Sequence, residues 1–292
     1  MLARLIHLWT RLPLLVRAPI IAFLVLNIGT TATVIPLVGN LKLLPSIPWA
    51  FPATIVIVWL FWRYFTGSGW PRETREIREH VTRRKSSPLP MWRAAALPIV
   101  FSVFAVISLR LVLPRLLPVE PARLPIDPNA YPVATVIGLA LALAFSAGVV
   151  EEVAFRGYLQ KPLEEKYGIA PALIVTGIAF WFAHVPKVTL SHLPFHLLAS
   201  ILLGLIAYRT DSLFPAMLGH ALGDALLLPT YIFHRPAFAW SALSARPLWA
   251  APAAHSSETL AFASCMCIFL VSTALAIVSL RRLGARTPGV PS

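Results

Sequence analysis

The sequence predicts an all-α, polytopic membrane protein with about eight transmembrane helices. Of its 292 residues, 58% are hydrophobic and only 13% charged, and mean hydropathy is +0.75. The apolar residues come in runs of about 20, the length of helix that crosses roughly 30 Å of hydrocarbon. Helices follow because lipid offers no partner to unpaired backbone groups outside helices or closed barrels. A net charge of +13 would suggest nucleic acid for a soluble chain. Here the Arg residues cluster at loops and ends beside apolar runs, the positive-inside pattern, so the expected partners are membrane lipids and no nucleic acid.

Runs bounded by charge, Pro or Gly fall near residues 18–40, 48–65, 94–117, 131–155, 169–186, 195–208, 213–233 and 258–280. The first, preceded by a basic N-terminal stretch, is too long for a signal peptide and lacks a clear cleavage site, so a retained span is expected. The sixth is short for a full crossing and reads as tilted or re-entrant. With both termini in the cytoplasm, the basic ends at 1–17, 66–93, 156–166 and 281–286 lie inside. The loops at 42–47, 118–130, 187–194 and 234–257, poor in Lys and Arg, lie outside. In a bacterial source this would be the plasma (inner) membrane.

The densest charged block, "RETREIREHVTRRK" at 72–85, interleaves Glu and Arg at helical spacings and reads as a solvated cytoplasmic segment, or an anionic-lipid contact. Arg110 and Arg115 are expected to snorkel to the outer surface, and Trp49, Trp62, Tyr64 and Tyr131 to form an aromatic belt. Cys265 and Cys267, two apart, should point to different sides of the last helix as plain packing residues.

Ionisable groups within spans are costly and usually face a protein interior or a water-filled cavity. Three clusters stand out: Glu151 and Glu152 with Arg156 in "EEVAFR", His184 in "FWFAH", and His220 with Asp224 in "HALGD". Glu152 and Arg156 are four apart in the favoured orientation for a helical ion pair. Glu151 points about 100° away and lacks that partner, which suits a general base. If its helix continues to a turn at Gly168 and a second helix starts near Pro171, Glu151 and His184 lie about 17 and 16 residues either side of the turn. At 1.5 Å per residue both are roughly 25 Å from it, so an antiparallel hairpin brings them level. Asp224, four residues from His220, can orient it, accept a hydrogen bond from it or join it on a metal. His192 and His196 are expected at the outer interface, with an auxiliary metal site as the alternative.

These motifs resemble those of the CPBP intramembrane proteases, which include the type II CAAX prenyl endopeptidases: EExxxR, then FxxxH (Phe180, His184), then HxxxN or a variant ending in Asp. The resemblance covers about residues 131–233. It implies a chain divided into N-terminal transmembrane helices with a basic cytoplasmic loop (1–130), a catalytic core (131–233), and a loop with a C-terminal transmembrane helix (234–292). It further implies that Glu151 and His184 activate a water, that Glu152, Arg156 and Phe180 support the structure, and that His220 with residue 224 stabilises the oxyanion. The substrate would be a peptide or protein with a lipid anchor or hydrophobic segment: a prenylated CAAX protein, a sorting signal or a bacteriocin-related peptide.

Asp224 departs from the Asn pattern, because an ionised carboxylate cannot donate to an oxyanion. Three readings stay open: Asp224 is protonated, it orients a donating His220, or Glu151, His184, His220 and Asp224 form a zinc site. The metal-free, glutamate-dependent reading is preferred from the resemblance. Two other classes remain: a non-catalytic scaffold or bacteriocin immunity protein, and a transporter with a buried Glu/His relay, for which no internal repeat is visible.

Overall fold

A computed structural model describes residues 9, 11–84, 88–118, 127, 130–185, 190–232 and 256–286. Among them every regular element is helical. In chain order these are α1 (Leu14–Leu43), α2 (Ala50–Phe65), a short α3 (Arg75–Val81), α4 (Leu89–Leu116), α5 (Val133–Glu152), a π-helical segment (Val153–Gln160), α6 (Lys161–Tyr167), α7 (Ile169–Phe182), α8 (Leu193–Thr210), α9 (Phe214–Ile232) and α10 (Ser256–Arg286). The side chains of 228–232, 256–258 and 284–286 are not described; the outer connections expected at 118–130 and 234–257 fall largely outside the described residues, as do 187–189 of the one expected at 187–194.

Among the described residues, five stretches are long and apolar enough to cross a membrane: Leu14–Leu43, Leu89–Leu116, Val133–Tyr167, Leu190–Thr210 and Thr259–Leu283. The sixth apolar run thus belongs to a 21-residue stretch, long enough for a crossing. By contrast, Ala50–Phe65 and Ile169–Phe182 are 16 and 14 residues long, shorter than the roughly 20 that a full span requires. The eight apolar runs are therefore not eight equal spans. Prolines within α1 (Pro19, Pro36) and α4 (Pro98, Pro114) are tolerated as in other membrane helices, where neighbours re-satisfy the freed backbone groups.

Polar side chains fix the turns. Fully buried Asn40 donates to the Leu44 and Ile47 carbonyls at 2.7 and 2.8 Å and accepts from the Ala50 amide at 2.9 Å, folding α1 onto α2. The start of α5 is tied to that turn by Thr135 Oγ1, which donates to the Pro45 carbonyl at 2.5 Å. At the opposite end the helix through Glu151 does run on, despite Pro162, to Gly168, whose φ of 84° ends it. That conformation is costly for a side-chain-bearing residue and natural for Gly. α7 then returns, packing against the π segment and α6.

The block at 72–85 is a solvated face only in part: Arg72, Glu73, Arg75, Glu76, His80 and Arg84 are exposed, while other members turn inward. Arg78 is buried, its guanidinium caged by the carbonyls of Tyr64, Ser68, Gly69 and Pro71. Arg83 is also buried, bridging Glu164 at 2.5 Å and Asp211 at 3.1 Å. Lys161 joins the same group, 3.5 Å from Glu164 and 3.1 Å from Glu165. The interleaved charge thus anchors the α2–α4 connection to α6 and the α8–α9 turn. Arg115 is buried rather than snorkelling. Cys265 is buried and Cys267 exposed, both free, as their two-residue spacing predicts.

Candidate active site

Five helices converge on one cavity of about 630 Å³, its open mouth included. α5 brings Glu151, the end of α7 brings Phe180 and His184, α8 brings His196, and α9 brings His220 and Asp224. α4 closes an apolar side with Val103 and Val106, continued by Leu202, Leu203 and Leu227. The level pairing expected for Glu151 and His184 is therefore met to the extent that both line this one cavity.

Glu152 and Arg156 form the expected ion pair, 2.9 Å apart with neither side chain exposed. Their pairing sits where α5 passes into the π segment, an irregularity that recurs at functional sites. Arg156 also donates to the Ser200 carbonyl at 3.2 Å and lies 5.1 Å from the centroid of Phe180, within cation–π range. Phe180 sits at the centre of the group, with ring centroids 5.3 Å from Phe155, 5.0 Å from His184, and 5.9 Å from both His196 and His220.

The same Glu152 oxygen that meets Arg156 accepts the Nδ1–H of His220 at 2.7 Å. The residue that orients His220 is thus Glu152 on a neighbouring helix, not Asp224 on its own. With Nδ1 fixed, Nε2 faces Glu151 Oε2 at 3.8 Å and Asp224 Oδ2 at 3.7 Å. Both distances exceed a direct hydrogen bond. Glu151 Oε2 has no hydrogen-bond partner among the described residues, which leaves it an unengaged acceptor.

His184 Nδ1 lies 2.8 Å from the Phe180 carbonyl. A carbonyl only accepts, so Nδ1 carries the hydrogen and Nε2 of the neutral ring keeps its lone pair. His196 repeats the device, with Nδ1 2.9 Å from the His192 carbonyl, and its ring centroid is 4.6 Å from that of His184. His192 and His196 are buried within the protein, with His196 in the first turn of α8, which begins at Leu193. The missed signal was spacing: His196, Ser200 and Gly204 recur every four residues. Two of them meet the π segment, Ser200 through Arg156 and Gly204 through Gln160, which donates to its carbonyl at 3.0 Å.

Zinc would require His184, His220, Glu151 and Asp224 to converge on one point. Among the described residues no group of three or more His, Cys, Asp and Glu side chains is disposed to hold a metal ion; the His220 Nδ1–H donates to Glu152, so Nε2 is the nitrogen that His220 turns to the cavity.

Residues 132–226 match the family described as type II CAAX prenyl endopeptidase Rce1-like. No curated protein and no solved structure matches the chain. The matched segment holds Glu151, Glu152, Arg156, Phe180, His184, His220 and Asp224, whereas α4, which supplies the apolar side of the cavity, lies outside it.

Proposed function

We propose, with the Rce1-like match over residues 132–226 as premise, that the protein is a metal-free intramembrane endopeptidase. It would cut a peptide bond beside a lipidated or membrane-anchored segment, a prenylated protein being the substrate class that the match suggests. The observation that carries this reading is the joint placement of Glu151, His184, His220 and Asp224 around one cavity with an apolar side. Such a cavity would present polar groups to a scissile peptide and an apolar wall to an adjoining hydrophobic group.

In this reading a water is held between Glu151 and the lone pair of His184 Nε2. Glu151 takes its proton as the hydroxide oxygen attacks the carbonyl carbon. His220, donating from Nδ1 to Glu152, meets the developing oxyanion with Nε2–H and acts in its doubly protonated form. Asp224 stays ionised and balances that imidazolium, while Glu152 aligns it, and Asp224 does not itself donate. The C–N bond then breaks, and the proton on Glu151 passes to the leaving amine.

The end that gathers Arg78, Arg83, Lys161 and Asp211 is read as cytoplasmic, with both chain termini on the same side, in keeping with the positive-inside pattern. The deciding experiment compares purified wild type and Glu151→Gln in detergent against quenched lipidated peptides. Cleavage by the wild type alone is expected. Equal cleavage by both would overturn the role of Glu151, and none by either would turn attention to a scaffold or immunity role.

A further inference from the structure

Gly223 is a helical glycine for which packing gives no reason. Glycine inside a helix is less stable than alanine, and most of the other described helical glycines are explained by close neighbours. A Cβ at Gly29, Gly138, Gly148, Gly177 or Gly204 would come within 3.0 Å of another side chain, and one at Gly219 would lie 3.3 Å from Leu203. A Cβ at Gly223 would meet nothing within 4 Å among the described residues.

The position is also singular in place. Gly219, His220, Gly223, Asp224 and Leu227 form the face of α9 that lines the cavity. Gly223 lies between His220 and Asp224 along that face, so any side chain there would occupy cavity space next to the pair. The neighbouring Leu222 and Leu226 lie on the exposed side of the helix.

We propose that Gly223 is the specificity-determining position of this site. Its bare backbone leaves a lane beside His220 and Asp224 for the bulky apolar side chain, free or lipid-modified, of the substrate residue next to the scissile bond. This rests on the peptidase reading for the identity of the substrate, while the lane itself is a statement about cavity space. Because a Cβ there displaces no atom, Gly223→Ala adds a better helix former and should raise Tm, and Gly223→Leu, whose longer side chain enters the cavity rather than a packed contact, should fold.

The test uses the full-length protein in detergent and two lipidated peptides that differ only in the residue flanking the bond cut by wild type, Gly in one and Leu in the other. Gly223→Leu should lower kcat/KM at least tenfold for the Leu peptide and less than threefold for the Gly peptide, with Gly223→Ala in between. An equal loss on both peptides, or none, overturns the proposal while leaving Glu151-dependent cleavage standing. A second arm needs no turnover. Gly223→Cys, in a Glu151→Gln, Cys265→Ser, Cys267→Ser background, is labelled with a maleimide with and without the Leu peptide. Labelling that the peptide slows at least fivefold is expected, and absent labelling or absent protection overturns the lane. Protection without any wild-type cleavage would retain the lane and reject the peptidase reading.

Discussion

Glu152 Oε1 lies 2.7 Å from His220 Nδ1 and 2.9 Å from Arg156 Nη1, so one buried oxygen joins the helix that carries the first motif to the helix that carries the third. Glu152→Gln therefore has two effects at once. It removes the charge that compensates a fully buried guanidinium, and leaving one partner of a buried pair costs about 3–5 kcal/mol. It also loosens the tautomer of His220. We expect a substantial drop in Tm in detergent, together with loss of turnover that survives at temperatures where the variant is still folded. Normal activity in the folded fraction would show that Glu152 serves stability alone.

Glu151→Gln separates the two carboxylates. Glu151 Oε2 has no hydrogen-bond partner to lose, and its side chain keeps 19% exposure, so the amide should leave Tm within a degree or two of wild type. Loss of a general base typically costs about 10²–10⁴ in rate, and a fall of that size in kcat is expected here. Comparing unfolding curves and single-turnover cleavage for the two Glu variants measures the division. Equal destabilisation of both would refute it.

His196→Phe tests the residue that sequence reading left outside the site. Phe keeps most of the ring volume against His184 and Phe180, so folding should be retained, whereas the acceptor at Nε2 is lost from the cavity. At least a tenfold loss in kcat/KM is expected. Unchanged kinetics would assign His196 to packing.

The sequence-level reading succeeded where chemistry and spacing lay within one helix. Glu152 with Arg156, Gly168 as the turn, and the opposed faces of Cys265 and Cys267 all follow from local periodicity. What stayed hidden was cross-helix. No spacing rule says that Glu152 reaches His220, or that Arg83 turns inward to Glu164 and Asp211, because those distances depend on how helices pack. A partial clue was present in Glu152, Arg156, Gln160 and Glu164, which recur every four residues. This polar ladder leads from the cavity to the charged end, through Ser200 and Gly204 of α8 and on to Arg83. The length of α7 was also overestimated, because apolar composition continues past Phe182 while the helix ends there and turns at His184.

Strong chelation separates the metal-free reading from zinc. Dialysis against a chelator followed by assay in metal-depleted buffer should leave kcat within twofold of the untreated protein. Loss restored by zinc alone would replace the Glu151-dependent mechanism with a metal-bound water, and Tm measured in parallel would show whether the metal also holds the fold.

The charged end provides a contrast between pairs of the same chemistry. Arg83 and Glu164 have 1% and 6% of their side chains exposed, whereas Arg75 and Glu79 have 64% and 33%. Truncating an exposed pair costs less than about 1 kcal/mol, because water replaces the lost partner. Truncating Arg83 leaves Glu164 buried with Lys161 as its nearby cation and Gln160 as a neutral donor, and a cost toward about 3 kcal/mol is expected, at the lower end for a buried pair because these partners remain. Arg83→Ala should therefore lower Tm well beyond Arg75→Ala in the same detergent. Arg83→Lys should recover only part of the loss, since one ammonium cannot span both Glu164 and Asp211 with the reach of a guanidinium fork. If the two Ala variants unfold together, the connection between α2 and α4 is held by the Arg78 carbonyl cage and not by the ion-pair cluster.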